Sequence, residues 1–126
     1  MRIFIVALLF AGLGGCSKPQ PTLSGGKPIS HWIERLSTSP DAKERKEAAF
    51  KLGNVGPTDA AVLPALQGGI KDADPAVRCE VILALVKCGP AAEEAVPALI
   101  ELRDRDRDPR VRGYAAKALE KIRSKE

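Results

Sequence analysis

Three arginines, Arg45, Arg78 and Arg112, sit in the same local frame at intervals of 33 and 34 residues, and this recurrence constrains the chain more than any other feature. From Asp74 the frame reads DPAVRCEVILALVKCGP, and from Asp108 it reads DPRVRGYAAKALEKI. A looser copy, DAKERKEAAFKLGNVGP, starts at Asp41. A second recurring piece lies between these cores, AAVLPALQGGIKDAD in one place and EAVPALIELRDRD in the next. Self-similarity at this period marks supersecondary units that cannot bury their apolar faces alone and so stack on one another. Aromatic residues make up 4% of the chain. The apolar share is carried by Ala, Leu and Val, so the core between units is small and aliphatic.

The pattern along the chain is helical, with no strand-like alternation. Ser30 is placed to cap a short helix, HWIERL, whose apolar face is Ile29, Trp32, Ile33 and Leu36. Asp41 caps a helix to about Asn54, with Ala48, Ala49, Leu52 and Val55 at inner spacing. Gly56-Pro57 stops it, with Gly suited to a left-handed cap and Pro unable to continue the ladder. Residues 58–62 read as a separate turn, and Pro64, tolerated in a first turn, opens a second short helix to Lys71. The same logic gives a helix from Pro75 to Cys88, a stop at Gly89-Pro90, a turn over residues 91–95 and a helix from Pro97 to about Asp104. A last helix runs from Pro109 to about Ser124, with Val111, Ala115, Ala118, Leu119 and Ile122 facing inward. The expected core is Trp32, Leu36, Leu52, Leu66, Val77, Val81, Leu85, Leu99, Val111, Leu119 and Ile122. Tyr114 aligns with Glu47 and Glu80, both solvent-side positions, so it is expected on the surface. The last helix is expected to close the stack of a monomer with the long side chains of Arg110, Lys117, Lys121 and Arg123, with self-association through Tyr114 into a homodimer as the alternative.

The first 28 residues are of a different kind. Arg2 precedes the apolar run IFIVALLFAGL, which is too short for a permanent span of roughly 20 residues and has the layout of a secretory signal. It ends in Leu13-Gly14-Gly15-Cys16, which resembles the lipobox of bacterial lipoproteins. That resemblance implies removal of residues 1–15 and a diacylglyceryl thioether on Cys16, holding the protein to a membrane that faces the periplasm or exterior. SKPQPTLSGGKP follows, rich in Pro, Gly and Ser, so residues 16–28 are expected to form a flexible tether spanning about 20 Å. Residues 29–126 remain for the repeat domain.

Within that domain, Asp72-Ala73-Asp74-Pro75-Ala76-Val77-Arg78, then Ala84-Leu85, Gly89-Pro90 and Pro97-Ala98-Leu99, resembles HEAT-like repeats. The segment from Ile29 to Leu36 resembles the half-repeat that often precedes them. The resemblance implies an all-α, short right-handed α-solenoid of about two and a half to three repeats. It also implies a ladder between neighbouring units, in which an Asp stands six residues before each Arg; here that pattern falls on Asp72 with Arg78 and on Asp106 with Arg112, alongside Arg45. The first unit departs from it, with Ser39 at the Asp position and Glu44 where the others have Val77 and Val111. The family further implies docking of proteins on the surface formed by the second helices. Helical phase places Gln67, Lys71, Ile100, Glu101 and Asp104 on that surface, with Ile100 as an exposed apolar anchor.

Little else in the sequence carries chemistry. His31 has no Cys or second His at ligand spacing, and a surface or capping role is expected. Cys79 and Cys88, about 13 Å apart along one helix, cannot form a disulfide. Alignment of the repeats makes Cys88 a core residue and Cys79 a partly exposed thiol. Glu93 and Glu94 are adjacent but do not face each other on a helix. Residues Arg103 to Asp108 alternate in sign, and the net charge of +4 is dispersed, which argues against nucleic acid. With no nucleophile, phosphate-binding or metal-ligand spacing, the expected function is a non-catalytic scaffold without a cofactor, docking an unidentified protein at the cell envelope. The alternatives are a phycobilin lyase-like accessory enzyme, since HEAT-like repeats occur in such lyases, and a decayed fragment of a larger repeat family.

Overall fold

Asp41, Asp74 and Asp108 do the same job at the same place in each unit. Their carboxylates accept from the backbone N–H of Lys43, Ala76 and Arg110 at 2.9, 2.8 and 2.8 Å, satisfying donors that a helix leaves orphaned in its first turn. The computed structural model describes residues 22–124. The expected signal segment, Cys16 and the first part of the expected tether lie outside the described residues. The three helices opened this way are α2 (Ala42–Val55), α4 (Pro75–Cys88) and α6 (Pro109–Arg123). Pro75 and Pro109 occupy the first helical position of α4 and α6, where a missing N–H costs nothing.

The stops are at Gly56 and Gly89, as the sequence indicates, but not in the left-handed helical cap. Their φ/ψ values of 64/−152° and 62/−137° lie near an extended, positive-φ region that glycine alone occupies readily. The chain then enters 3₁₀ turns, Gly56–Thr58 and Gly89–Ala95, before the second helices α3 (Val62–Gly69) and α5 (Val96–Arg105). Both begin slightly ahead of Pro64 and Pro97, leaving each proline in the first turn.

α2, α4 and α6 pack side by side as one layer. α1 (Ile29–Thr38) packs on α2 and α3, while α5 packs on α6. Every residue of the expected core is buried, and Ile29, Val62, Ile70 and Ile82 join it. The layer closes tightly at Gly53 in α2, where an added Cβ would lie 2.8 Å from the Ala84 Cβ and 2.9 Å from its Cα. The described residues thus form an all-α stack of repeated helical units, apart from one small hairpin.

That hairpin corrects the tether. Leu23–Ser24 (β1) pairs antiparallel with Lys27–Pro28 (β2) around Gly25 and Gly26, both at positive φ. It is fastened by tertiary bonds: the Trp32 indole donates to the Ser24 carbonyl at 2.8 Å, and Ser24 Oγ donates to the Lys51 carbonyl at 3.0 Å. Residues 22–28 therefore pack with the helical unit expected to begin at Ile29. Ser30 is not the cap of α1; the flanking residue is Pro28, and the Ile29 N–H is satisfied by the Thr22 carbonyl at 3.0 Å. Two-residue strands carry too few positions for alternation to be read from sequence.

Candidate functional site

The repeat arginines form the edge of the stack. Arg45 uses both sides of its guanidinium: Nη1 donates to the Ser39 carbonyl of its own unit at 2.9 Å, while Nε and Nη2 grip the Asp72 carboxylate of the next at 2.9 and 3.1 Å. Arg78 repeats this, with Nη1 on the Asp72 and Ala73 carbonyls at 2.7 and 3.2 Å and Nε and Nη2 on Asp106 at 2.9 and 3.0 Å. Both pairs are largely buried, with side-chain exposures of 15% and 9% in the first and 14% and 5% in the second. Bidentate geometry of this kind adds orientation to charge, and the Asp72 hydrogen bond raises the Arg45 pKa. The ladder thus joins Arg45 and Arg78 each to the following unit's carboxylate. Towards the Asp six residues before it, the Arg contacts only the backbone carbonyl.

The departure of the first unit has a physical explanation. Ser39 Oγ donates to Glu44 at 2.6 Å, and Arg35 of α1 donates to the other Glu44 oxygen at 2.7 Å. Glu44 supplies the carboxylate that Ser39 lacks, so the two substitutions complement each other. These bonds, Ser39 foremost, hold the Glu44 pKa below its usual value.

On the second-helix side, α3 and α5 scarcely touch. Between their C-terminal loops lies an open cleft of about 490 Å3, with Ile70, Ala98 and Leu102 at its floor and Lys71, Glu101, Arg105 and Arg107 among its polar lining. A smaller cleft of about 350 Å3 lies between α1 and α3, and Lys71 and Asp72 border both. Lys71, Arg105 and Arg107 make no ion pair among the described residues. The family of HEAT repeats matches residues 29–126.

This chain belongs to the HEAT-repeat family. No curated protein matches the sequence. Of the surface residues proposed for this HEAT-repeat protein, the fold brings Lys71 and Glu101 to one cleft. Gln67 is half-buried on α3, outside the lining of either cleft. Asp104 is exposed and pairs with Arg103 at 2.8 Å, which lowers its pKa. Ile100 is not the expected exposed anchor: it is half-buried and packs against the core, because the turn of α5 that buries Leu99 also carries Ile100 inward.

Sequence reasoning did not single out Arg105 and Arg107 as cleft residues, since alternation of sign over residues 103–108 cancels the net charge of the segment. Asp104 is taken by Arg103 and Asp108 by Arg110 at 2.9 Å, which leaves the other two cations over. His31 lies edge-on to Trp32, ring centroids 4.9 Å apart, with its Nε2 3.4 Å from Arg35 Nη1. Among the described residues no three His, Cys, Asp or Glu side chains are arranged to hold a metal. Cys88 is buried and Cys79 half-buried; burial raises both thiol pKa values, which disfavours the reactive thiolate.

Proposed function

We propose that this HEAT-repeat protein is a non-catalytic docking module of a bacterial cell envelope, held to a membrane through lipidated Cys16 and receiving an acidic segment of a protein partner in the cleft between α3 and α5. HEAT repeats commonly mediate protein–protein contact. The observation that carries the reading is the set of unpaired cations, Lys71, Arg105 and Arg107, around an apolar floor. A partner combining carboxylates with an apolar side chain satisfies both parts of that surface. The membrane part rests on the Leu13-to-Cys16 motif after its apolar run, and no helix among the described residues is long and apolar enough to cross a bilayer.

Two measurements test the two parts separately. Mass spectrometry of the mature protein should find a diacylated Cys16 as its first residue, and Cys16→Ser should release the protein from membranes. An unmodified Cys16, or unchanged fractionation, removes the anchor. For docking, a photo-crosslinker at Glu101 should capture a defined partner that a crosslinker at Glu47 does not, and Lys71→Glu with Arg105→Glu should abolish capture while helicity is retained. Capture that survives both reversals places the interface elsewhere.

A further inference from the structure

The two ends of the ladder are unlike. At the last described unit Arg112 keeps half of the pattern: Nη1 donates to the Asp106 and Arg107 carbonyls at 2.7 and 3.3 Å, as Arg78 does to its own loop. Its Nε and Nη2, the pair that grips a carboxylate in Arg45 and Arg78, have no acceptor among the described residues. Residues 1–21 contain no Asp or Glu. The adjoining face is also one that earlier units cover. Ala116 aligns with Ala49 and Ile82, both fully buried, yet is itself half-exposed.

We propose that Arg112 is a preset carboxylate-binding site, through which this end of the stack takes an acidic helix-opening turn of another protein. The two completed joints define the ligand. In each, the carboxylate meets the arginine bidentately and also accepts the backbone N–H two residues on, Asp74 N for Asp72 and Asp108 N for Asp106, both at 2.9 Å. The segment that fits carries an Asp two residues before the capping residue of a helix, with a small apolar helix face to lie over Ala116. A second copy of this chain does not supply it. Its Asp72 and Asp106 are already engaged by Arg45 and Arg78, and its first unit has at the corresponding position Ser39, which carries no carboxylate and is bonded to Glu44. The site is separate from the cleft and does not rest on lipid anchoring.

The test uses the full protein and a peptide copying residues 68–88, with Cys79→Ser and Cys88→Ser, which presents Asp72 ahead of a helix. Nitrogen-15 spectra report the arginine Nε–H groups. In the free protein those of Arg45 and Arg78 should exchange slowly with water and that of Arg112 rapidly. Added peptide should shift and protect Arg112 Nε–H, and the same peptide with Asp72→Asn should bind at least about tenfold more weakly, as loss of a bidentate charged pair requires. Arg112→Gln, and Arg112→Lys, which keeps the charge but not the fork, should weaken binding similarly. Equal binding of the two peptides, or saturation without a response at Arg112, overturns the proposal whatever the stability of the variants. A dimer in sedimentation that Arg112→Gln dissolves overturns the assigned occupant in favour of a second copy.

Discussion

Leu85 lies in α4, the middle helix of its layer, with units packed on both sides and none of its surface exposed. Truncation there removes apolar contact and leaves a cavity that neighbours on two sides cannot easily close, so Leu85→Ala should cost about 2–5 kcal/mol. Exposed Glu101 should lose under about 0.5 kcal/mol on replacement by Ala; denaturant midpoints of the two variants check the contrast. Asp108 ties residue chemistry to pH. Hydrogen bonds from the Arg110 side chain and backbone lower its pKa to about 2, below the ordinary carboxylate value of about 3.9. Because the folded pKa is the lower one, its contribution is complete above about pH 4 and is lost as pH falls towards 2. Asp108→Asn should therefore flatten the acid limb of stability over that window, followed by circular dichroism against pH, with little change in slope at pH 6 to 8.

At the scale of elements, the helix joints depend on backbone approach as much as on side chains. Gly in a helix interior is ordinarily worse than Ala by about 1 kcal/mol, which would make Gly53→Ala a stabilising change in an isolated α2. Here the new methyl would meet Ala84 at 2.8 Å, including its backbone, and α2 and α4 would have to separate. Gly53→Ala should lower the melting temperature despite the gain in propensity, and Gly53→Ala with Ala84→Gly should recover part of the loss. Caps and stops were legible in the sequence because they are local: Asp41, Asp74, Asp108, Gly56 and Gly89 act on their own turns. The close approach at Gly53 was not, since its partner lies 31 positions away and the contact exists only once the units stack.

Over the whole molecule, the first-helix layer turns three large apolar side chains outward, Phe50, Leu83 and Tyr114, at 44%, 38% and 41% exposure. Phe50 is partly covered by Lys87, whose Nζ is 4.5 Å from the ring centroid, so the stripe is interrupted by charge. The N-terminal end is closed by the hairpin on Lys51 and Trp32, with Lys51 Nζ 5.8 Å from the indole. With one end covered and the two ends not complementary, the residue 22–124 unit should sediment as a monomer, and Tyr114→Glu should leave its mass unchanged. A concentration-dependent dimer abolished by that substitution would make Tyr114 an interface residue instead.

The period, the helices, the aspartate caps and the core were legible along the chain, because each is set by residues within a turn or two of one another or by repetition of the same frame. Exposure of Tyr114 and burial of Cys88 followed from that alignment. Which Asp each Arg grips, the complementarity of Ser39 and Glu44, the docking of residues 22–28 and the inward tilt of Ile100 were decided only in the tertiary structure. All four depend on where one element lies against another, and the distances across a joint between units are not fixed by periodicity along the chain. The hairpin shows this most plainly: its composition is that of a free tether, and only the Trp32 indole and the Lys51 carbonyl give its backbone a place to bind.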